Sequence, residues 1–513
     1  MLGSTVLSGS PAPLEPRVSG VVRIPFNYGV QNTPATLAGA LAFPLVGHVP
    51  RAPSRPLQVS ARTSRLEHPT EPTYPNQWDL NGSTPPVAMD DRAVVPDDSL
   101  LKHIFANNQP SSVSIILQNW DQCIFSATLP NPLQNGRHSC VVRLEASNGQ
   151  PRTFHLISAT QEIAATFLPS LVPETLQVGT AVNDRGREFE YAVLEFVEGV
   201  TLEKAWDEMS AEDQRSVTAA VVDAVSKLQA VRLSDAKVQT ILRREFGQDS
   251  EEQLGRAVMG GPTTGFLSDG RSLLSAIEQK WKLNAPFYSI GSISDPEGLI
   301  FKSDSEDLGS ATVSNSDMAQ WQQEAVSCHN DLSPRNLLLR CDETPSGETT
   351  YELAAIIDWE LGGFYPPSYQ VSLHDTYLGN GNQRLGFYLL LKEGLKDITP
   401  SSPAQIALLR AMELIFESRQ RWLWQRNNIP AQIRVRFMEM LGLSRDEKPY
   451  LGWSRKSEGG APPEFSRDDS QKLEDEVVAE MVARRQAKAK ANARSVHREI
   501  FGWLAWDQLT RLD

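Results

Sequence analysis

The sequence predicts a two-lobed α+β protein, with a small lobe built on a mixed β-sheet and a larger lobe that is mainly helical. Segments rich in β-branched and aromatic residues concentrate between about residues 113 and 199. Helical periodicity dominates after residue 200, except around residues 336–358. A chain of 513 residues is also too long for one hydrophobic core, so more than one folded unit is expected.

The composition excludes several classes of protein. A hydrophobic fraction of 40% and a charged fraction of 22% are ordinary for a globular protein, and no apolar run is long enough to span a membrane. The net charge of -14 disfavours nucleic acid as a partner. The four cysteines show no CxxC spacing, which argues against a disulfide framework and a zinc site.

Residues 1–95 are predicted to be a proline-rich, disordered extension. Fifteen of the 34 prolines precede residue 100, and no periodic apolar face is present there. Residues 1–65 hold six arginines against one acid, which is typical of an organellar transit sequence. Accidental charge in a disordered tail is the competing explanation. We therefore expect a cytoplasmic protein, with a mitochondrial location as the alternative.

Residues 96–198 are predicted to form the small lobe. The segments at 113–129 and 139–147 are predicted to be paired strands, the segment at 158–171 a helix, and the segment at 190–199 a further strand. Strands give way to helices at Glu195-Phe196-Val197-Glu198-Gly199, so the chain is expected to cross there between the lobes.

Residues 199–400 are predicted to form the large lobe, and residues 401–513 a helical C-terminal region. Helices are predicted at 213–231, 404–424 and 470–498. Apolar residues recur at helical spacing at 404–424, and the last helix is acidic at its start and basic at its end, which complements the helix dipole. Residues 240–320, which contain Gly-Gly-Pro, Asp-Gly and serine-rich pieces, are predicted to be loops and insertions.

The stretch CHNDLSPRNLLL at residues 328–339 carries the chemistry. An enzyme that moves a phosphoryl group from a nucleotide mainly positions a hydroxyl, holds metal ions and neutralises charge. His329, Asp331 and Asn336 have the spacing of a kinase catalytic loop, in which the acid orients the hydroxyl and the amide binds magnesium.

A second acid follows on the next apolar segment. In YELAAIIDWELGGF, residues 351–364, a predicted strand delivers Asp358 into a turn 22 residues after Asn336. Two strands meeting there would place Asp358 beside Asn336. Magnesium needs only one or two protein oxygens when phosphates and water supply the rest, so this pair is sufficient.

These motifs resemble the aminoglycoside phosphotransferase and choline kinase group, which has a protein-kinase-like fold. The resemblance rests on His329-Asn330-Asp331-Leu332 through Asn336 and on Ile357-Asp358-Trp359-Glu360, and it covers about residues 96–400. The run GGFYPPSY resembles fungal members most closely. The resemblance to this group implies that Asp331 is the catalytic base and that Asn336 and Asp358 are the magnesium ligands. His329 is expected to brace the loop by hydrogen bonding.

The resemblance extends to the small lobe through CVVRLEA, TQEIAATFL and the crossing LEFVEG. It implies that Arg143, paired with Glu162, contacts the nucleotide phosphates, and that Glu195 and Val197 of the crossing bind the nucleotide. Trp359 is expected to pack the turn, and Glu360 to lie near the metal ion.

The predicted function is an ATP-dependent phosphotransferase that uses Mg²⁺ and acts on a hydroxyl of a small molecule, with GTP as an alternative donor. LQNWDQCIFSA, residues 117–127, contains no glycine where the group has a glycine-containing turn over the phosphates. The main alternative is therefore a catalytically degenerate kinase-fold protein that serves as a nucleotide-responsive or scaffold protein. A helical binding protein with a coincidental motif is the third. The acceptor and the oligomeric state are not determined by the sequence.

Overall fold

The computed structural model describes residues 94–509 apart from 148–153, 247–250, 285, 344, 346, 447 and 456–464. The predicted extension at residues 1–95 lies almost wholly outside the described residues, and so does the predicted transit sequence.

The small lobe is built on a five-stranded antiparallel sheet in the order β1-β2-β3-β5-β4. Its elements are α1 (Asp98–Phe105), β1 (Ser112–Gln118), β2 (Gln122–Thr128), β3 (Ser139–Ala146), α2 (Phe154–Phe167), β4 (Thr175–Val182) and β5 (Glu188–Glu195). Alternate residues of β3, among them Val142 and Leu144, are buried against α1. The Asp97 side chain caps α1 by accepting a 3.0 Å hydrogen bond from the Leu100 N–H. The predicted sheet-based lobe is confirmed.

Strand β1 differs from β2 and β3 because it forms one edge of the sheet and, within the part of the chain that the structure describes, pairs with β2 alone. It contains no charged residue, and its Val113, Ile115 and Ile116 side chains are exposed. The pairing register with β2 shifts between Ile115 and Leu117. Among the described residues, this edge of the sheet is therefore unpaired, uncharged and partly apolar.

The large lobe is mainly helical. Its first half contains β6 (Val200–Thr201), α3 (Leu202–Ala205), α4 (Ala211–Leu228), α5 (Ala236–Phe246), α6 (Glu251–Arg256), β7 (Met259–Gly261), β8 (Gly265–Leu267), α7 (Gly270–Trp281), β9 (Tyr288–Ser294), β10 (Glu297–Ser303), β11 (Ser310–Ser314) and α8 (Asn315–Glu324).

Its second half contains the remaining elements: β12 (Val326–Cys328), β13 (Leu337–Glu343), β14 (Thr349–Ile356), β15 (Gly363–Tyr365), α9 (Pro367–Tyr377), α10 (Leu385–Leu395), α11 (Pro403–Gln425), α12 (Ile429–Met440), β16 (Leu443–Arg445), β17 (Trp453–Arg455) and α13 (Arg467–Leu509). Helices α4, α11 and α13 coincide with the predicted ones. Serine side chains cap three of the large-lobe helices, with Ser210 at α4, Ser314 at α8 and Ser402 at α11.

One prediction about this lobe is wrong. The region 240–320 does not consist of loops and insertions, because β9, β10 and β11 form a three-stranded antiparallel sheet and α5, α7 and α8 are regular helices. Phe301 and Val313 of this sheet are buried in the core that includes α11. The three serines and the one glycine of β9 give it little intrinsic strand propensity, so packing against the rest of the lobe decides its conformation.

The crossing between the lobes leads directly to the catalytic motif. After β5 the chain enters β6, which pairs antiparallel with β13, with Thr201 opposite Leu338. Gly199 lies so close to β13 that a Cβ atom there would be 2.5 Å from the Leu339 carbonyl oxygen. The crossing therefore lies against the strand that leaves the catalytic loop.

Within the described residues, no helix has both the length and the apolar character that a membrane span requires.

Candidate active site

The loop between β12 and β13 is buried and held by side chains of neighbouring segments. Gln370 of α9 accepts hydrogen bonds through its Oε1 from the backbone N–H groups of His329 and Asn330, at 2.9 and 3.2 Å. Asn330 adopts a left-handed backbone conformation with φ of 68° and donates through Nδ2 to the Leu361 carbonyl at 2.7 Å. These contacts fix the backbone that carries Asp331.

The His329 ring is buried, and both of its nitrogens have partners. Nε2 lies 2.9 Å from the Ile357 carbonyl oxygen, and Nδ1 accepts from the Asp331 backbone N–H at 3.2 Å. These bonds require the neutral tautomer with its proton on Nε2. Burial lowers the pKa of His329, which favours that neutral form. The ring thus connects the loop to the segment that contains Asp358.

The Asp331 carboxylate is buried, and only one of its oxygens is paired. Oδ2 accepts from Arg335 Nη2 at 2.9 Å, whereas Oδ1 has no partner among the described residues. Burial alone would raise the pKa of this carboxyl, but the nearby Arg335 charge reverses the effect and the pKa is lowered. Asp331 is therefore an ionised acid with the Ser333 hydroxyl beside it, and its Oδ1 has no hydrogen bond of normal geometry among the described residues.

Asn336 and Asp358 lie side by side, as the sequence predicted. Leu337 of β13 pairs with Ile356 of β14, and the Ile357 N–H donates to the Asn336 carbonyl at 2.9 Å. Asn336 also donates through Nδ2 to the Asp331 carbonyl at 3.0 Å. The structure thus brings the three motif residues Asp331, Asn336 and Asp358 together.

Asp358 occupies a strained position and a strongly charged environment. Its φ of 66° is left-handed, a conformation that non-glycine residues adopt at an energetic penalty. Burial raises the pKa of Asp358 to about 7, and repulsion from Glu360 adds to the effect while Arg143 opposes it.

Arg143 of β3 reaches across the cleft to this acidic pair. Its Nη1 lies 3.1 Å from Asp358 Oδ1 and its Nη2 lies 2.5 Å from Glu360 Oε2. Its Nε donates to Glu145 Oε1 at 2.7 Å. Three carboxylates therefore surround one guanidinium.

The predicted pairing of Arg143 with Glu162 is wrong in this structure. Glu162 forms an ion pair with Arg244 of α5, and its side chain is 43% exposed. The preceding residue on α2, Gln161, faces inward and donates to the Pro173 carbonyl at 2.5 Å. Successive helical residues point about 100° apart, so burial of Gln161 turns Glu162 towards the surface.

The predicted nucleotide-contacting residues of the crossing, Glu195 and Val197, lie at the end of β5 and just after it. The Glu195 carboxylate pairs with Arg137 at 2.8 Å and accepts from the Glu174 N–H at 3.2 Å. Val197 is half-buried, and its backbone N–H has no hydrogen-bond partner within the described part of the chain. A backbone donor is therefore free at the crossing.

The glycine-free segment forms the tight turn between β1 and β2. Asn119 closes it, because its Oδ1 accepts from the backbone N–H groups of Asp121 and Gln122 at 2.9 and 2.7 Å. Trp120 at the tip is 61% exposed. Two of the amides that a phosphate-binding turn would offer are thus already occupied.

Sequence reasoning missed two cations whose charge interacts with Asp331. Arg335 lies within the motif CHNDLSPRNLLL, but the spacing of a kinase catalytic loop gives a role to His329, Asp331 and Asn336 and none to Arg335. Lys280, in the last turn of α7, is half-buried and lies within electrostatic range of the Asp331 and Glu360 carboxylates. No motif marks Lys280, because its electrostatic interaction with Asp331 depends on how α7 packs in the lobe.

The residues present fit a magnesium ion. The described ranges contain no cluster of three or more His, Cys, Asp or Glu side chains that could hold a metal ion through protein ligands alone. Asn336 and Asp358 supply one amide and one carboxylate oxygen, and Mg²⁺ needs no more when phosphates and water complete its six ligands.

A comparison with protein families gives one match. Residues 133–383 match the model of a family described as "Phosphotransferase enzyme family". No curated protein sequence matches the chain.

Several solved structures are similar, all at low identity. The GDP complex of wild-type aminoglycoside 2'-phosphotransferase-IIIa is 13% identical, with 67% of this chain and 98% of that chain covered and a TM-score of 0.32. The complex of spectinomycin phosphotransferase with ADP and spectinomycin is 13% identical, with coverages of 76% and 97% and a TM-score of 0.29. The ternary complex of streptomycin, ATP and APH(2'')-IIa is 10% identical, with coverages of 68% and 96% and a TM-score of 0.31. With TM-scores this low, the overall likeness is loose.

Proposed function

Residues 133–383 belong to the phosphotransferase enzyme family, and from this premise we propose that the chain transfers a phosphoryl group from ATP to a hydroxyl of a small molecule. The observation that carries the proposal is the state of Asp331, a buried and ionised carboxylate with Oδ1 unpartnered beside Asn336 and Asp358.

Asp331 acts as the base. Its Oδ1 accepts the hydrogen bond of the acceptor hydroxyl, and Arg335 holds the other oxygen in place. As the acceptor oxygen bonds to the γ-phosphorus, the bond from that phosphorus to the ADP oxygen breaks and Asp331 takes the hydroxyl proton. His329 contributes by bracing the backbone of Asp331.

Asn336 and Asp358 hold Mg²⁺, and the metal when bound neutralises charge on the phosphates. Arg143 contacts the same phosphates from the small lobe. Its Nη1 and Nη2 groups, which bond to Asp358 and Glu360 in this structure, then also donate to the phosphates. Glu145 and Glu360, rather than Glu162, orient Arg143. Backbone groups at Glu195 and Val197 bind the base of ATP, and GTP remains the alternative donor.

We predict that two conservative substitutions separate these roles. Asp331→Asn should lower turnover by about 10²–10⁴-fold, with little effect on nucleotide affinity, because the acid acts on the acceptor hydroxyl. Asp358→Asn should abolish the magnesium dependence of nucleotide binding because it removes the metal's carboxylate. Turnover is measured on a panel of alcohols, and binding by thermal shift with ATP or GTP, with and without Mg²⁺.

Asp342→Asn is the matched control, since Asp342 is an exposed acid on β13. A ligand at 100 times its dissociation constant stabilises a protein by about 2.7 kcal/mol, which such a shift detects. Absence of nucleotide binding, together with wild-type behaviour of both site variants, would contradict the proposal.

The closed turn at Asn119 favours a second candidate function, a nucleotide-responsive or scaffold protein without turnover. Two amides of that turn bond to Asn119 and are not available to phosphate. Binding of Mg²⁺·ATP without transfer to any alcohol and without hydrolysis would support this second function.

A further inference from the structure

Arg143 is anchored in the middle of the small-lobe sheet. It lies on the central strand β3, where it pairs with Ile124 of β2 and with Ala192 of β5. Its Cζ atom lies 5.4 Å from the centre of the buried Phe154 ring, a distance at which a cation and an aromatic ring attract each other. Glu145 follows two residues later on the same face of the strand, and its Oε1 lies 2.7 Å from Nε and 2.5 Å from Nη2. The small lobe therefore holds the guanidinium from several sides.

All three nitrogens of the Arg143 guanidinium bond to carboxylates. Nε donates to Glu145 at 2.7 Å, Nη1 to Asp358 at 3.1 Å and Nη2 to Glu360 at 2.5 Å. Two of these acids belong to the large lobe, so the contacts also join the two lobes across the cleft. The phosphates of a nucleotide must therefore compete with carboxylates for the donors of Arg143.

Asp358 is one of the two residues that fit Mg²⁺, and Arg143 already bonds to its Oδ1. A divalent cation on the same carboxylate would stand close to the guanidinium, and two cations so near repel each other. No three His, Cys, Asp or Glu side chains of the described residues form a group that could hold the ion alone, so protein ligands do not compensate for this repulsion. Arg143 therefore opposes metal binding in the nucleotide-free protein.

We propose that Arg143 couples metal binding to nucleotide binding: without nucleotide it bonds to Asp358 and Glu360 and opposes Mg²⁺, and the phosphates of a bound nucleotide allow the metal to bind. The phosphates supply both the negative charge that offsets the guanidinium and the oxygen ligands that the metal lacks. Glu145, which is not among the predicted metal ligands, keeps its bond to Arg143 in both states. This inference rests on the proposed function, because it describes how the same site is regulated.

The test measures Mg²⁺ binding to the full chain by calorimetry, without nucleotide or alcohol. Wild type should bind Mg²⁺ weakly. Arg143→Met should lower the Mg²⁺ dissociation constant by about tenfold or more, because it removes the competing charge and frees Oδ1 of Asp358. A merely structural role for Arg143 would not produce this gain, since truncating a structural side chain creates no affinity for a cation.

Two further variants locate the gained binding. The double variant Arg143→Met with Asp358→Asn should bind Mg²⁺ as weakly as wild type, because the cation loses its carboxylate. Arg340→Met is the matched control for the loss of one arginine charge, since Arg340 lies exposed on β13 beside Glu352, and it should bind Mg²⁺ as wild type does. Arg143→Gln takes the place of Arg143→Met if circular dichroism shows that the methionine variant does not fold.

The same coupling is measured from the nucleotide side. Mg²⁺ should lower the ADP dissociation constant by a larger factor in wild type than in Arg143→Met, because coupling between two ligands is reciprocal. Formation of Mg²⁺·ADP in solution is the same for both proteins, so a difference between the two factors belongs to the site.

Three outcomes would overturn the inference: equal Mg²⁺ affinity of wild type and the Arg143 variant, a gain that persists in the double variant, or equal factors for ADP. Failure of the proposed function gives a different result, namely that wild type binds no ADP with or without Mg²⁺. The Mg²⁺ titrations contain no nucleotide, so their outcome does not depend on that result.

Discussion

His329 and His374 are both buried imidazoles, but their surroundings differ. Both nitrogens of His329 are hydrogen-bonded, whereas Nε2 of His374 has no partner in the part of the chain that the structure describes. His374 stacks on Tyr388 with ring centroids 5.0 Å apart. Burial lowers the pKa of His374 to about 4, and the Lys392 charge acts in the same direction. Protonation of this ring therefore opposes folding.

We predict that His374→Gln makes the protein less sensitive to acid. In the unfolded chain the imidazole titrates at its ordinary pKa of 6.5, so below that pH the unfolded state binds a proton that the folded state does not. Stability should fall as the pH drops from about 6.5 to about 4, by roughly 3 kcal/mol in total. Urea unfolding at pH 7 and pH 4.5 measures the difference.

The glutamine variant should lose most of this difference. His155→Gln is the control for the loss of one histidine elsewhere, at a half-buried position beside Glu245. An equally steep loss of stability on acidification in His374→Gln would contradict the assignment.

Several site residues could be predicted from the sequence, and others could not. His329, Asp331 and Asn336 fall within eight positions of one another, so their spacing alone places them on one loop. Asp358 follows an apolar strand that pairs with the strand after Asn336, so one hairpin brings Asp358 to the site. Lys280 lies 51 positions before Asp331 in the chain, and no local pattern relates the two residues. The fungal affinity suggested by GGFYPPSY stays a prediction.

At the scale of elements, α2 decides which acid orients Arg143. Gln161 faces the interior, so Glu162 points to solvent and pairs with Arg244. We predict that Glu162→Gln leaves nucleotide affinity unchanged, because exposed ion pairs contribute at most about 1 kcal/mol to local stability. Glu360→Gln should instead tighten the binding of metal-free ADP by roughly three- to tenfold, because it removes a negative charge and frees Arg143.

Titration calorimetry of both variants with ADP and without magnesium provides the measurement, and each is the other's control for loss of one carboxylate. Weaker ADP binding in Glu162→Gln, with no change in Glu360→Gln, would restore the pairing that the sequence predicted.

Some elements were predictable because local pattern and tertiary packing agree. β2 and β3 alternate buried and less buried residues, and α4 and α11 repeat apolar residues at helical spacing. β9 has no such pattern, because most of its residues are exposed and its sequence is rich in serine. Its conformation depends on pairing with β10, which buries Phe301 against the large lobe. Such long-range support leaves no local signal.

At the scale of the whole molecule, Val94, the first described residue, belongs to the core of the small lobe. Val94 is buried, and its backbone N–H donates to the Asn119 carbonyl at 2.9 Å. We predict that deleting residues 1–90 changes the free energy of unfolding by less than about 1 kcal/mol, since every contact of the described core is retained. Urea unfolding followed by circular dichroism measures this change.

Deletion of residues 1–101 is the control. It also removes Leu100, which is fully buried in the small lobe, and loss of a buried leucine side chain typically destabilises by about 2–5 kcal/mol. If the shorter deletion is insoluble or as unstable as the longer one, the first 90 residues contribute to the core.

The uncharged edge at β1 has a consequence for the protein in concentrated solution. A seven-residue strand without charge, proline or glycine, and with exposed Val113, Ile115 and Ile116, has the composition of segments that add to other strands and grow into fibrils. Most sheet edges are protected by a lysine or a proline, and here only the register shift after Ile115 interrupts the template. Self-association through this edge would need no ion pairs, so added salt would not disperse it. A lysine introduced at Ile116 would act as a gatekeeper against such growth.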